Sequence, residues 1–132
     1  MRSKKINIVF VIPSLAAGGA ERILSFVAQN VNKELFKTTL LVTGYQKDTV
    51  YHLTDLEIVY LNKPRVLKSF FSIFSYLKKN KPDVVVSSIV HLNVLIAFMS
   101  PFFRNTKFVA REANVLSVLN KYNPSSSIFF SK

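Results

Sequence analysis

The chain has 132 residues, 49% of them hydrophobic and 13% aromatic, with 3 glycines and 18 Lys and Arg against 7 Asp and Glu, a formal net charge of +11. That apolar content supports one globular core and excludes a disordered chain. The absence of cysteine excludes a disulfide framework and any thiolate metal site and fits a cytosolic protein, while His52 and His91 lie too far apart in sequence to read as a metal motif.

In chain order, the apolar run Ile6 to Ile12 predicts a first strand. Behind a basic N-terminus this run is too short for a signal-peptide core and stops at Pro13, so secretion is not expected. Ala17-Gly18-Gly19 then opens directly into a helix, where Ala20, Ile23, Leu24, Val27, Ala28 and Val31 recur at helical spacing as one sheet-facing stripe. Two glycines at a helix start allow positive φ and close approach of a ligand, and the new helix aims free N–H groups and a partial positive charge outward. The pair serves either a phosphate-bearing ligand or simply a tight strand-to-helix turn, since a full G-x-G-x-x-G or Walker pattern is absent. Glu21 reads as a first-turn cap, and Arg22 either reaches a ligand phosphate or is a solvated side chain.

Thr38 to Thr43 is the second predicted strand, ended by Gly44, and Glu57 to Leu61 a short third. A helix over Val66 to Asn80 places Leu67, Phe70, Phe71, Phe74 and Leu77 on one face, and Lys81-Pro82-Asp83 ends it because proline cannot continue the ladder. The segment from Val84 to Phe103 is long enough for a membrane span, but Ser87, Ser88, His91, Asn93, Ser100 and Pro101 interrupt it. It divides better into a buried strand from Asp83 to Ser88 and a helix from Leu92 to Ser100, followed by a fifth strand from Lys107 to Ala110. Apolar strands alternating with helices predict an α/β, Rossmann-like, mostly parallel sheet with helices on both faces.

In such a sheet, ligands bind outside the carboxyl ends of the strands. That selects Ala17-Gly18-Gly19, the loop from Ser88 to Asn93, and Arg111-Glu112-Ala113-Asn114, all on one edge. His91 alone is more often a surface or capping residue and Asn93 alone a helix cap, yet together the clusters favour a site.

These residues carry a resemblance. The stretch from Ile12 to Arg22 with its G-G-A-E-R element, the K-P-D-V-V segment at Lys81 to Val85 with Ser87, Ser88, His91 and Asn93, and Ala110-Arg111-Glu112-Ala113-Asn114 resemble the amino-terminal domain of family-four retaining glycosyltransferases of GT-B fold. The resemblance implies that residues 1–122 form the acceptor-side half of a two-domain cleft and that 123–132 begin a continuation. The nucleotide-sugar domain, with its paired glutamates, would follow beyond the chain. It further implies that Gly18, Gly19 and Arg22 approach the donor diphosphate or the acceptor, that His91 and Asn93 line the acceptor side, and that Arg111, Glu112 and Asn114 contact sugar where many relatives carry a histidine. The nucleotide-sugar is then co-substrate, with no separate cofactor or metal. The acceptor is lipid-linked or a saccharide, as in cell-surface polysaccharide assembly, and half a cleft alone is expected not to turn over.

Charge adds a second theme. Lys63, Arg65, Lys68, Lys78, Lys79 and Lys81 occur without an intervening carboxylate. Anionic lipid attracts such a surface at about 1 kcal/mol per basic residue, so Lys68, Lys78 and Lys79 are candidates for contact with the inner face of the cytoplasmic membrane. The other reading is a solvated basic face over a core stripe that holds Phe70, Phe71 and Phe74 against the sheet. No nucleic-acid motif appears. Two classes of function therefore stand: the acceptor-side half of a sugar transferase, or a non-catalytic module docking on an anionic membrane or a partner protein.

Overall fold

The computed structural model describes residues 4–16, 19–49 and 53–111. Strands β1 (Ile6–Ile12), β2 (Phe36–Val42), β3 (Glu57–Tyr60), β4 (Val84–Ser87) and β5 (Lys107–Ala110) form one sheet in the order β3-β2-β1-β4-β5. Every pairing is parallel. Helices α1 (Gly19–Asn30), α2 (Phe70–Asn80) and α3 (Val90–Met99) supply the crossovers, so the fold is α/β and Rossmann-like.

The placement of the helices follows from connection handedness. The chain leaves β1 toward β2 in one direction and leaves β3 for β4, then β4 for β5, in the other. Right-handed crossovers then require α1 on one face and α2 with α3 on the opposite face. Strand alternation matches this arrangement. Phe10, Ile12, Leu40 and Val42 pack with Leu24 and Ala28 of α1, whereas Val9, Val11, Leu41 and Val85 pack with Ile73 and Leu77 of α2 and Leu92, Leu95, Ile96 and Met99 of α3. Both sheet faces are covered, which is why the strands read as continuous apolar runs.

Several predicted boundaries and faces are corrected. β2 starts at Phe36, because Ile6 and Asn7 at the beginning of β1 pair with Phe36 and Lys37 and extend the strand past the apolar signal. A 3₁₀ turn over Leu67–Ser69 precedes α2, and α2 buries the stripe Phe70, Ile73, Phe74 and Leu77. Leu67 and Phe71 fall off that stripe and are 77% and 81% exposed, so the single face drawn through them and Leu77 does not exist. The tighter 3₁₀ turn shifts the phase of Leu67, and Phe71 lies one residue off the i, i+3, i+4, i+7 set Phe70, Ile73, Phe74 and Leu77 that turns inward. On α1 the buried line runs through Leu24, Ser25 and Ala28, while Ile23 and Val27 are exposed.

Pro82 does end α2. Lys81, barred from the right-handed helical region by the following proline, takes φ 45° and ψ 60° and donates its N–H to Leu77 O at 2.9 Å. Asp83 then ties three strand starts together: its Oδ2 accepts the Asn7 N–H at 2.8 Å, its own N–H bonds Asn7 O, and its carbonyl accepts the Lys107 N–H. Among the described residues, no helix is long and apolar enough to cross a membrane.

Candidate functional site at the carboxyl edge of the sheet

The strand order reverses direction between β1 and β4, so the crevice at their carboxyl ends is the topological place for a ligand. On the β4 and β5 side of that crevice the structure assembles a polar network. Ser87 Oγ donates to Asn93 Oδ1 at 2.6 Å, Asn93 Nδ2 donates to the Arg111 carbonyl at 3.1 Å, and the Arg111 N–H returns to the Ser87 carbonyl at 2.7 Å. The Arg111 guanidinium donates to Ser88 Oγ at 3.1 Å. Ser87 and Ser88 are buried, so bonding to them satisfies groups that would otherwise be costly to leave unpaired.

The network joins Asn93 and Arg111, two of the predicted site residues, through their hydrogen bonds with Ser87 and Ser88. It holds the Arg111 side chain, a cation with further donors, against Ser88 at the carboxyl end of β4. Asn93 is not the cap of α3, because Ile89 takes an extended conformation and the helix begins at Val90, placing Asn93 within the first turn. His91 parts from Asn93: it is exposed on α3 and lines a groove with Leu67, Phe70, Val94, Leu95 and Phe98. Residues two positions apart on a helix, as His91 and Asn93 are, point about 200° apart, so both side chains cannot serve one pocket.

On the β1 side, Ser14 Oγ accepts the Ala16 N–H and α1 begins at Gly19. Gly19 is exposed, its φ is not positive, and a Cβ built there meets no atom within 4 Å. The positive-φ argument therefore does not apply to Gly19, and the space in front of it is open. Arg22 is exposed on the first turn. Gly18, Glu112 and Asn114 lie outside the described residues. Lys68 and the pair Lys78 and Lys79 are exposed at opposite ends of the α2 region, and Lys78 lines a cleft of about 420 Å³ with Lys81, Arg104, Phe74 and Phe102.

The sequence reading missed a second part of the carboxyl edge, after β2 and β3. Gly44 donates its N–H to Pro13 O at 2.9 Å, Asn62 to Gly44 O at 3.1 Å and Lys63 to Thr43 O at 2.8 Å, so three loops are stitched side by side beyond the strand ends. A Cβ on Gly44 would stand 2.7 Å from the Pro13 carbonyl oxygen, a contact that admits only glycine without movement. Asn62 turns with φ 56°, a left-handed conformation that asparagine tolerates. The signal was present: the topological rule that selects the loops after β1, β4 and β5 selects these as well, and Lys47, Lys63 and Arg65 lie in them.

Among the described residues no three of His, Cys, Asp and Glu gather where they could hold a metal ion. No protein-family model matches this sequence, and no curated protein matches it.

Proposed function

We propose that this chain is the acceptor-side half of a retaining glycosyltransferase, holding a saccharide or lipid-linked acceptor against a nucleotide-sugar supplied by a second domain. The observation that carries this reading is the polar network at the carboxyl ends of β4 and β5, where Arg111 is fixed by Ser87, Ser88 and Asn93; on the same edge of the sheet, after β1, the space before Gly19 is open. A prepositioned guanidinium at the carboxyl edge, beside the topological switch point, suits the hydroxyls and phosphates of sugar substrates. Arg111, which the resemblance assigns to sugar, and Gly19, which it assigns to the donor diphosphate or the acceptor, lie on the same carboxyl edge of the sheet, which supports the same reading. In this scheme the chain binds and orients, while the donor domain stabilises the leaving diphosphate.

The test is sugar transfer from a panel of nucleotide-sugars, assayed for the chain alone and together with the polypeptide encoded directly downstream. Transfer is expected only from the combination, and Arg111→Ala should reduce it. Activity of the combination that ignores Arg111→Ala, or no transfer with any donor, overturns the reading.

A second reading, a module docking on anionic membrane, is favoured by one further observation. Leu67, Phe71 and Phe98 are 77%, 81% and 70% exposed, and Leu67 and Phe98 share one groove with Phe70 and Val94. Exposed apolar side chains beside Arg65 and Lys68 match the composition of a peripheral lipid contact. The two readings are compatible, since a membrane-held half-cleft would meet a lipid-linked acceptor where it resides.

A further inference from the structure

The cleft beyond β2 and β3, about 340 Å³, is lined by Lys47, Lys63 and Arg65 together with Ser14, Thr43 and Tyr45. We propose that it seats the phosphate of a phosphorylated sugar or polyol, with the three cations on the phosphate and the hydroxyl-bearing residues toward the polyol. Its role as the acceptor's seat rests on the transferase reading above; the phosphate chemistry does not.

Three observations point to an anion. First, neither Lys63 nor Arg65 has an ion-pair or hydrogen-bond partner for its side chain among the described residues, although Lys63 is half-buried. A half-buried cation without a partner is stabilised when an anion arrives, because the anion restores interactions lost with water. Second, Lys47 Nζ rests 5.1 Å from the Tyr45 ring centroid, a cation–π contact that holds it over the same loop. Among the described residues Asp48 is the one carboxylate lining the cleft, and it forms no ion pair with these cations. Third, the floor is preformed. The bonds from Gly44 to Pro13, Asn62 to Gly44 and Lys63 to Thr43 fix the loops, and the Asp48 N–H on Tyr45 O and the Lys68 N–H on Arg65 O close the turns that carry Lys47 and Arg65, so little backbone ordering remains to oppose binding.

The body attached to the phosphate is hydroxylated because the walls offer it hydroxyl partners. Ser14, Thr43 and Tyr45 contribute hydroxyls, and among the described residues the aliphatic lining comes from Pro13, Pro64 and Val66. An acyl or prenyl chain would find no apolar channel here, whereas a hydroxylated ring finds partners. The cleft also adjoins the crevice directly, since Pro13 and Ser14 belong to the loop that leaves β1.

The experiment is calorimetric titration of the 132-residue protein with glucose 6-phosphate, inorganic phosphate and glucose. Glucose 6-phosphate should bind tightest and glucose most weakly. The double variant Lys63→Gln, Arg65→Gln should weaken glucose 6-phosphate by about tenfold or more, as expected when two charge-assisted contacts are lost. Lys79→Gln, at the end of α2 and away from the cleft, should leave affinity unchanged, and unaltered melting temperatures show that all proteins are folded. Equal binding by wild type and double variant, or equal losses in the Lys79 control, overturns the site. Inorganic phosphate binding as tightly as glucose 6-phosphate overturns the sugar ester. Should the downstream combination fail to transfer sugar while this binding persists, the transferase reading falls and the phosphate site stands.

Discussion

The two parts of the chain on either side of Glu57 build one sheet but present different surfaces. Residues 1–57 carry seven Lys and Arg and five carboxylates; residues 58–111 carry nine and only Asp83. Asp83 is itself committed to the Asn7 N–H at the start of β1. The second part also holds the phenylalanine ladder, with Phe70 stacked on Phe74 at 6.4 Å and Phe74 against Phe102 and Phe103 at 5.7 and 5.1 Å. Both parts leave apolar side chains in water, for α1 exposes Phe26 as α2 exposes Phe71. What differs is the company: Phe26 stands on a helix with Glu21, whereas Phe71 stands on one whose only charges are Lys78 and Lys79. Apolar exposure alone is ordinary for a surface, and it becomes a docking feature when the surrounding charge is of one sign.

The sharpest way to break this comparison is to separate inward from outward residues on α2. Leu77→Ala removes a fully buried side chain and should cost about 2–5 kcal/mol. Phe71→Ser should change stability by only about 0.5 kcal/mol or less, as exposed positions do. Vesicles rich in anionic lipid should nevertheless bind the Phe71 variant less well, and the triple change of Lys68, Lys78 and Lys79 to Glu less well still. Binding should also fall as salt rises, because exposed charges are screened within about 8 Å at physiological ionic strength. Co-sedimentation that ranks both variants with wild type, or that ignores salt, would leave the cationic half as a solvated face.

The same edge of the sheet offers a smaller contrast in its two described glycines. Gly44→Ala brings a Cβ to 2.7 Å of the Pro13 backbone oxygen, and the resulting shift should cost about 1–3 kcal/mol and loosen the stitched loops. Gly19→Ala has open space and a helical backbone, so it should be neutral or stabilising by up to about 1 kcal/mol. Thermal melts of the two variants decide it: a Gly19 variant as damaged as the Gly44 variant would show a constraint at the α1 start that its surroundings do not explain.

The glycines also show what sequence could and could not supply. Strands, crossovers and the carboxyl edge were legible, because continuous apolar runs separated by helical periods leave few alternatives to a parallel sheet. Arg111 and Asn93 were legible as residues at that edge. Gly44 was legible only as the end of a strand, since its steric requirement comes from Pro13, 31 positions earlier in the chain and brought near by β1–β2 pairing. The exposure of Phe71 was hidden for a related reason: a helical wheel fixes which residues share a face, but only the 3₁₀ turn at Leu67–Ser69 and the sheet beneath set which face turns inward. The cleft with Lys47, Lys63 and Arg65 was within reach of the topological rule, which needed to be applied to all five strand ends.

The smallest predicted effect lies at the seam between the two parts. Thr39 of β2 donates to Glu57 Oε2 of β3 at 3.1 Å, and Tyr76 of α2 packs over them from the second part. Burial is the main force raising the Tyr76 phenol above its ordinary value of 10.0; the nearby Glu57 charge raises it further, and the hydrogen bond with Thr39 opposes them. An acid whose folded-state pKa is raised keeps its proton longer in the native protein than in the unfolded chain. Between those two values the unfolded state binds fewer protons, so the stability that Tyr76 contributes is fully present below pH 10 and declines as the pH rises past it. Tyr76→Phe removes the titration while retaining the ring. The variant should therefore lose less melting temperature than wild type between pH 9 and pH 11, a difference of a few degrees at most for a domain of this size. Every other group is common to the two proteins, so the comparison isolates the phenol. Parallel losses in the two proteins would mean that the seam opens to water before Tyr76 ionises, and that the contact between the halves is looser than their shared sheet requires.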